Sequence, residues 1–261
     1  MNFSHYLPNT EQRLARFKKM VGGRPVAIVL PGYSVYEFQE RIEEFRNFDI
    51  LYAVMNQWRP IEEDILSKID KRVSILMNGA QPDWYFEDTC SYLDRPDTNL
   101  FITERLNFKE NGGENLNILY EKYDEKLLLF TSFYSEEVKP CPEFPLHIIR
   151  ENSLSIMTTL LITAEPSAII YFGADGGRIT DKGLYHGNIN EFIHPDGLPP
   201  EASLERDTRW FNTNMKITLG YMASTYGVKV PPIINCSVGS NLDVFPKFSY
   251  TEMVEYLRGI C

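Results

Sequence analysis

The sequence has few cysteines and no long apolar run. The four cysteines among its 261 residues are scattered and include no C-x-x-C pair, so the spacing of a zinc site or a disulfide framework is missing. No apolar run is long enough to cross a bilayer, and the N-terminal segment lacks the apolar core of a signal peptide. These absences predict a cytoplasmic protein, and they leave open a peripheral contact at the inner face of the membrane.

Positive charge is also scarce. The chain has 26 Lys and Arg against 36 Asp and Glu, which gives a net charge of −10 at pH 7. A general nucleic-acid binder would carry a basic face, so no nucleic-acid partner is expected, although one basic pocket for a nucleotide is compatible with this charge. The dinucleotide fingerprint G-x-G-x-x-G is absent, which argues against NAD. No clustered set of metal-ligand residues is present, so no dedicated metal site is expected.

Short apolar runs alternate with segments of helical periodicity throughout the chain. This pattern predicts an α/β fold with a Rossmann-like, mainly parallel sheet and helices on both faces. The length fits a single domain over residues 1–261. Residues 178–203 are rich in glycine, proline and charge without a period, and we expect them to form a lid or binding loop. The strands are predicted at residues 24–30, 49–55, 72–77, 99–103, 126–130, 168–172 and 228–235.

The first predicted strand, the turn after it and the following helix contain the first candidate ligand site of the sequence. An apolar strand ends at Pro31-Gly32, and Ser34 is followed three residues later by Glu37, the pattern of a capping box. The second strand ends at Asn56-Gln57. Open α/β sheets bind ligands at the carboxyl ends of their strands, and the free amides of a helix N-terminus suit a phosphate. The pattern therefore predicts a ligand site here, although an ordinary turn without a ligand would look the same.

Short motifs at the predicted strand ends follow an order seen in known families. The chain resembles the bacterial sialyltransferases of glycosyltransferase family 42. It also resembles the related family of flagellin motility accessory factors and archaeal 6-hydroxymethylpterin diphosphokinases. The first motif departs from the G-x-G-P-S-L of that second family, because its first glycine and its proline are absent here. The motifs are LPGYSV at residues 30–35, NQ at 56–57, RENS at 150–153, GAD at 173–175, TDKGLYH at 180–186 and NCSVGS at 235–240.

The resemblance implies metal-independent transfer of a nonulosonic, sialic acid-like sugar. The donor would be CMP-activated, the acceptor a surface glycan or a protein, and no further cofactor is implied. Tyr185 would stabilise the departing phosphate and His186 would act as the base, with His194 as its rival. The nucleotide would contact Gly32, Ser34, Asn56, Gln57, Asn152, Ser153, Gly173 and Asp175.

Other interpretations of the same residues stay open. Gly32 and Asn56 suit ordinary turns, Asn152 and Ser153 suit a helix cap, and a lone loop histidine suits an exposed surface. A diphosphotransferase of the hydroxymethylpterin type, which needs ATP and Mg²⁺, is the second candidate function. A non-catalytic nucleotide-binding member of the fold is the third. The sequence does not identify the donor sugar, the acceptor or the linkage. It also leaves the oligomeric state open, and a homo-oligomer is one of the states left open.

Overall fold

The structure is a computed structural model, and it describes most of the chain. The described residues are 10–56, 58–77, 83–97, 100–104, 114–132, 146–147, 153–178, 180–181, 183 and 199–261. They contain one sheet with the strand order β6-β5-β4-β3-β2-β1-β7-β8, and every neighbouring pair is parallel. The strands are β1 (Val26–Val29), β2 (Leu51–Met55), β3 (Val73–Met77), β4 (Leu100–Glu104), β5 (Leu127–Ser132), β6 (Leu146–His147), β7 (Ile169–Phe172) and β8 (Ile233–Asn235).

Helices cover both faces of this sheet, as the alternating pattern predicts. One face carries α2 (Val35–Glu40), α3 (Asp83–Leu93), α4 (Glu114–Tyr123) and α7 (Tyr250–Ile260). The opposite face carries α1 (Thr10–Val21), α5 (Ser153–Thr163) and α6 (Pro200–Tyr226). The two layers confirm the Rossmann-like α/β fold. No helix in the described part of the chain combines the length and apolar character that crossing a bilayer requires.

The central strands are buried on both faces because they lie between these two layers. All four residues of β1 and all five of β2 are buried. Along β1, Ala27 and Val29 pack into the core beneath α2 and α7, whereas Val26 and Ile28 pack into the core beneath α1 and α5. This division explains why the strands appear in the sequence as continuous apolar runs rather than as an alternation of apolar and polar residues.

The caps and the type of some predicted helices differ in the structure. The capping box predicted at Ser34 is wrong: the Ser34 side chain makes no cap hydrogen bond, and its hydroxyl bonds to Ser237 instead. A reciprocal capping box occurs at Ser249 and Glu252, where α7 begins. The sequence after β2 predicts one helix from Pro60 to about Ile69, but the structure has a π turn over Ile61–Ile65 and a 3₁₀ turn over Leu66–Ile69.

Two further segments correct the sequence prediction. The polar composition of residues 107–117, with Gly112-Gly113, predicts a loop, but α4 already begins at Glu114, because Leu119 and Tyr123 at helical spacing anchor it in the core. The predicted lid at 178–203 is too long at its C-terminal end, since α6 begins at Pro200. A proline is well placed there, because the first turn of a helix needs no amide donor from it.

The strand order contains one reversal, and it lies between β1 and β7. From β1 the chain adds strands in one direction as far as β6, and then returns to place β7 on the other side of β1. Ligands of open α/β sheets bind at such a topological switch point, outside the carboxyl ends of the strands. We call residues 30–34 after β1, 173–178 after β7 and 236–241 after β8 the switch-point loops.

Candidate functional site

Direct hydrogen bonds join the first two switch-point loops. The Gly32 amide donates to the Gly173 carbonyl at 3.1 Å. The Ser34 amide donates to Oδ2 of Asp175 at 2.9 Å. The turn after β1 and the loop after β7 therefore lie against each other at the switch point, and a ligand cleft bordered by Gly32 and Asp175 stays a prediction.

This close approach requires glycine on both sides. A Cβ atom on Gly32 would lie 2.4 Å from the Gly173 carbonyl oxygen and 2.7 Å from Oδ2 of Asp175. Gly173 has a left-handed φ of +70°, and a Cβ there would lie 2.1 Å from the Leu30 carbonyl oxygen. Both glycines of the sequence motifs thus allow the two backbones to come together.

Ser237 ties the third switch-point loop to the other two. Its side chain is fully buried, and its hydroxyl lies 2.7 Å from the Ser34 hydroxyl. The same oxygen accepts a 3.0 Å hydrogen bond from the Ala174 amide. The Asn241 amide adds a 3.0 Å bond to the Asp175 carbonyl. The sequence interpretation gave Ser237 no role, since nothing in the sequence shows which residues it meets.

Asp175 occupies the centre of the site and is only 5% exposed. Its Oδ2 atom accepts from Ser34, whereas Oδ1 is buried and has no hydrogen-bond partner among the described residues. Buried polar atoms are almost always paired, and an unpaired one costs about 1–3 kcal/mol. An unpaired buried carboxylate oxygen at a topological switch point is suited to a hydroxyl group of a ligand.

The surroundings of Asp175 also keep the nearby phenol neutral. The Tyr250 hydroxyl donates to the Ser34 carbonyl at 3.4 Å. Burial, supported by the charges of Cys236, Glu37 and Asp175, raises the pKa of Tyr250 well above its ordinary value. Tyr250 therefore acts as a fixed neutral hydrogen-bond donor beneath the turn.

The amides expected to hold a phosphate already have protein partners. Besides Gly32 and Ser34, the amides of Val35, Tyr36 and Glu37 donate to carbonyls of the same turn, and α2 is only six residues long. The turn after β1 therefore shapes the site through internal hydrogen bonds. Contact of Gly32, Ser34 and Gly173 with a nucleotide stays a prediction.

Asn56 follows β2 at the same edge of the sheet. Asn56 adopts a left-handed φ of 60°, and its backbone amide donates to the Met77 carbonyl at 2.8 Å. Its half-buried side chain makes no hydrogen bond to the described residues, so the side-chain amide is available to a ligand. Ser153 begins α5 and has no hydrogen bond to the described parts of the switch-point loops. The other predicted site residues lie outside the described residues: Gln57, Asn152, Tyr185, His186 and His194.

The described part of the predicted lid folds back towards the turn after β1. Thr180 and Gly183 exchange backbone hydrogen bonds of 3.1 and 3.0 Å. A Cβ atom on Gly183, whose φ is +103°, would lie 3.1 Å from the Tyr33 ring. Gly183 therefore lies against the Tyr33 ring of the turn after β1.

An open pocket of about 590 Å³ lies beside these loops. Gly176, Gly177 and Asn241 form one wall, and Arg209 and Asn212 of α6 form another. Its lining residues include polar side chains, although most of the surface exposed in the pocket is apolar, and its volume suits a small ligand. Within the described residues, no three His, Cys, Asp or Glu side chains are arranged to hold a metal ion.

Comparison with solved structures finds a chain of similar outline. No protein-family model and no curated protein matches the chain. The solved structure is a tyrosine-to-phenylalanine variant of the sialyltransferase CST-II in complex with CMP. It has 13% sequence identity, a TM-score of 0.45, and coverage of 87% of this chain and 86% of that chain. At this level of similarity the functional argument has to come from the site itself.

Proposed function

We propose that the protein is a glycosyltransferase that takes a nonulosonic, sialic acid-like sugar from a CMP-activated donor. The observation that carries the proposal is the unpaired, buried Oδ1 atom of Asp175 beside the switch point. A ribose hydroxyl would donate to this oxygen, and the side-chain amide of Asn56 at the end of β2, on the other side of β1, would contact the same nucleotide. The order of the sequence motifs supports cytidine as the base and a nonulosonic acid as the sugar.

The transfer itself needs no metal ion. The acceptor hydroxyl oxygen attacks the anomeric carbon of the donor sugar, and the bond from this carbon to the phosphate oxygen breaks. CMP leaves with the electron pair of that bond, and a base takes the hydroxyl proton. We assign the base to His186 and the hydrogen bond to the leaving phosphate to Tyr185, both on the sequence motif alone. A histidine is suited to this task because its ordinary pKa lies close to neutral pH.

A thermal-shift panel tests the nucleotide first. CMP, CDP, UDP and ATP are each added with Mg²⁺ and with EDTA, since a ligand of the folded state raises the melting temperature. We expect CMP to raise it equally with and without the metal. Asp175→Asn should lose most of the CMP effect, because the Ser34 amide holds the one remaining oxygen and an NH₂ group, which cannot accept a hydrogen bond, replaces the unpaired oxygen. Asp49→Asn makes the same charge change at an exposed position before β2 and should leave the effect unchanged.

A second assay tests the chemistry. The protein is incubated with a CMP-activated nonulosonic acid, and CMP release is followed with and without candidate acceptors. Release of CMP that depends on Asp175 supports the proposal. Stabilisation by ATP only in the presence of Mg²⁺, with none by CMP, would instead favour the diphosphotransferase. Stabilisation by CMP without any turnover would favour a non-catalytic nucleotide-binding protein.

A further inference from the structure

Arg178 ends the switch-point loop that begins at Gly173. Gly176 and Gly177 precede it with left-handed φ angles of +61° and +71°. The loop is fixed on the β8 side, since the Asn241 side chain donates to the Gly176 carbonyl at 3.2 Å. The half-buried guanidinium of Arg178 therefore extends from the same short loop that presents Asp175.

The opposing loop after β8 accommodates this guanidinium. A Cβ atom on Gly239 would lie 1.8 Å from Nη1 of Arg178 and 2.4 Å from its Cζ. The arginine thus fills the volume that any side chain at position 239 would occupy. The φ of Gly239 is not in the left-handed region, so the backbone alone does not require glycine there. Because Gly239 has no side chain, the guanidinium of Arg178 can occupy this place.

Arg178 is also a cation without a counter-charge. Its guanidinium forms no hydrogen bond or ion pair with any residue in the described ranges. Among the other described arginines, a carboxylate is contacted by Arg13, Arg24, Arg41, Arg46, Arg59, Arg95 and Arg206, whereas Arg16, Arg72, Arg209 and Arg258 form no ion pair within the described residues. In a chain with a net charge of −10, a half-buried arginine on the same short loop as Asp175, unpaired in the described structure, marks a place for a ligand with an anionic group.

We infer that Arg178 binds the phosphate of the nucleotide whose ribose meets Asp175. The inference rests on the proposed function and adds the residue that recognises the anion. A guanidinium offers a planar pair of donors that match two phosphate oxygens, and such charge-assisted hydrogen bonds are stronger than neutral ones. This assignment supplies a phosphate contact beyond the turn after β1, where the amides of Gly32, Ser34, Val35, Tyr36 and Glu37 already have protein partners.

Calorimetric titrations of CMP and of cytidine separate this contact from the rest of the nucleotide. For Arg178→Gln we expect CMP affinity to fall by about 10- to 100-fold, the effect of losing a hydrogen bond to a charged group. Cytidine lacks the phosphate, so its affinity should not change. The matched control is Arg72→Gln. Arg72 is an exposed arginine directly before β3, at the amino ends of the strands and opposite the site, so this variant should affect neither ligand.

Gly239→Ala provides a second variant that leaves the charge unchanged. The added methyl group overlaps Nη1, so Arg178 has to turn away, and CMP affinity should fall while cytidine affinity and the melting temperature stay close to wild type. Because both substitutions act on the same contact, Gly239→Ala should have no further effect in the Arg178→Gln background.

The outcomes distinguish this inference from the proposed function. If wild type and Arg178→Gln bind CMP equally, the Arg178 assignment is wrong and the CMP site stands. An equal loss of CMP and cytidine affinity would also overturn the assignment, because it would indicate a general effect on the site. If the wild-type protein binds no CMP at all, both the assignment and the proposed function are wrong.

Discussion

The backbone amide of Ser34 donates a 2.9 Å hydrogen bond to Oδ2 of Asp175, a residue 141 positions further along the chain. This bond joins the turn after β1 to the loop after β7 at the point where the strand order reverses. It also leaves the second carboxylate oxygen of Asp175 without a partner among the described residues. The hydrogen bonds that hold the two loops together thus also create the group that we assign to ligand binding.

The hydroxyl of Ser237 should contribute more to the free energy of unfolding than a serine hydroxyl without hydrogen bonds does. Ser237→Ala leaves the buried Ala174 amide unpaired, and we expect a loss of about 1–3 kcal/mol in the free energy of unfolding. The control is Ser167→Ala, since the Ser167 hydroxyl is buried without a partner in the described structure and its removal breaks no bond. Urea denaturation measures both variants. Equal losses for the two would contradict the role given to Ser237.

Gly173 should tolerate a methyl group less well than a glycine of similar φ in open space. Gly23 has a φ of +76° with no atom near its missing Cβ, so Gly23→Ala meets only the left-handed strain of about 1–2 kcal/mol. Gly173→Ala meets the same strain and also the Leu30 carbonyl. We expect a clearly larger drop in melting temperature for Gly173→Ala. If the two drops are the same, the close approach of the β1 and β7 loops is not required.

The order of the elements was predictable from the sequence because it depends on local patterns. Buried strands such as β1 and β7 are continuous apolar runs ending in glycine, and this signal also located Asp175 at a strand end. The placement of Gly32 and Asp175 at the same end of the sheet then followed from the general rule for parallel sheets.

The contacts within the site were not predictable, since they join distant positions. Ser34 looked like a helix cap because Glu37 follows at the right spacing, but Ser237 competes for its hydroxyl across 203 positions. Nothing in the sequence pairs Arg178 with Gly239 either. The β6 strand, only two residues long, has too few residues to show a pattern.

The start of α7 should depend on the ionisation of Glu252. Hydrogen bonds from the Ser249 hydroxyl and the Ser249 amide lower the pKa of Glu252 from its ordinary 4.5. Because the folded-state pKa is the lower one, this stabilisation is complete above pH 4.5 and disappears as the pH falls through the folded-state value.

The pH dependence of two variants tests this. The stability difference between wild type and Glu252→Ala should be constant near neutral pH and should shrink below pH 4.5, as measured by urea denaturation. Glu255→Ala, an exposed position on the same helix, should show no such trend. A Glu252→Ala difference that persists unchanged at low pH would argue against an ionised cap.

His186 should affect turnover without affecting nucleotide binding. A positioned base contributes about 10²- to 10⁴-fold in rate, so His186→Ala should slow sugar transfer by about this factor while CMP affinity is kept. The acidic limb of the pH–rate profile should also disappear. The comparison variant is His194→Ala. Full activity in His186→Ala together with loss of activity in His194→Ala would move the role of the base to His194.

The most direct test of the account is the affinity of CMP in the presence of EDTA, measured by calorimetry for the wild-type protein and for Asp175→Asn. The account predicts that the wild type binds CMP without a metal ion. It predicts about 5- to 100-fold weaker binding by Asp175→Asn, the expected effect of losing one acceptor in a buried site. Wild-type protein that does not bind CMP, or that binds it no better than Asp175→Asn does, would contradict the account.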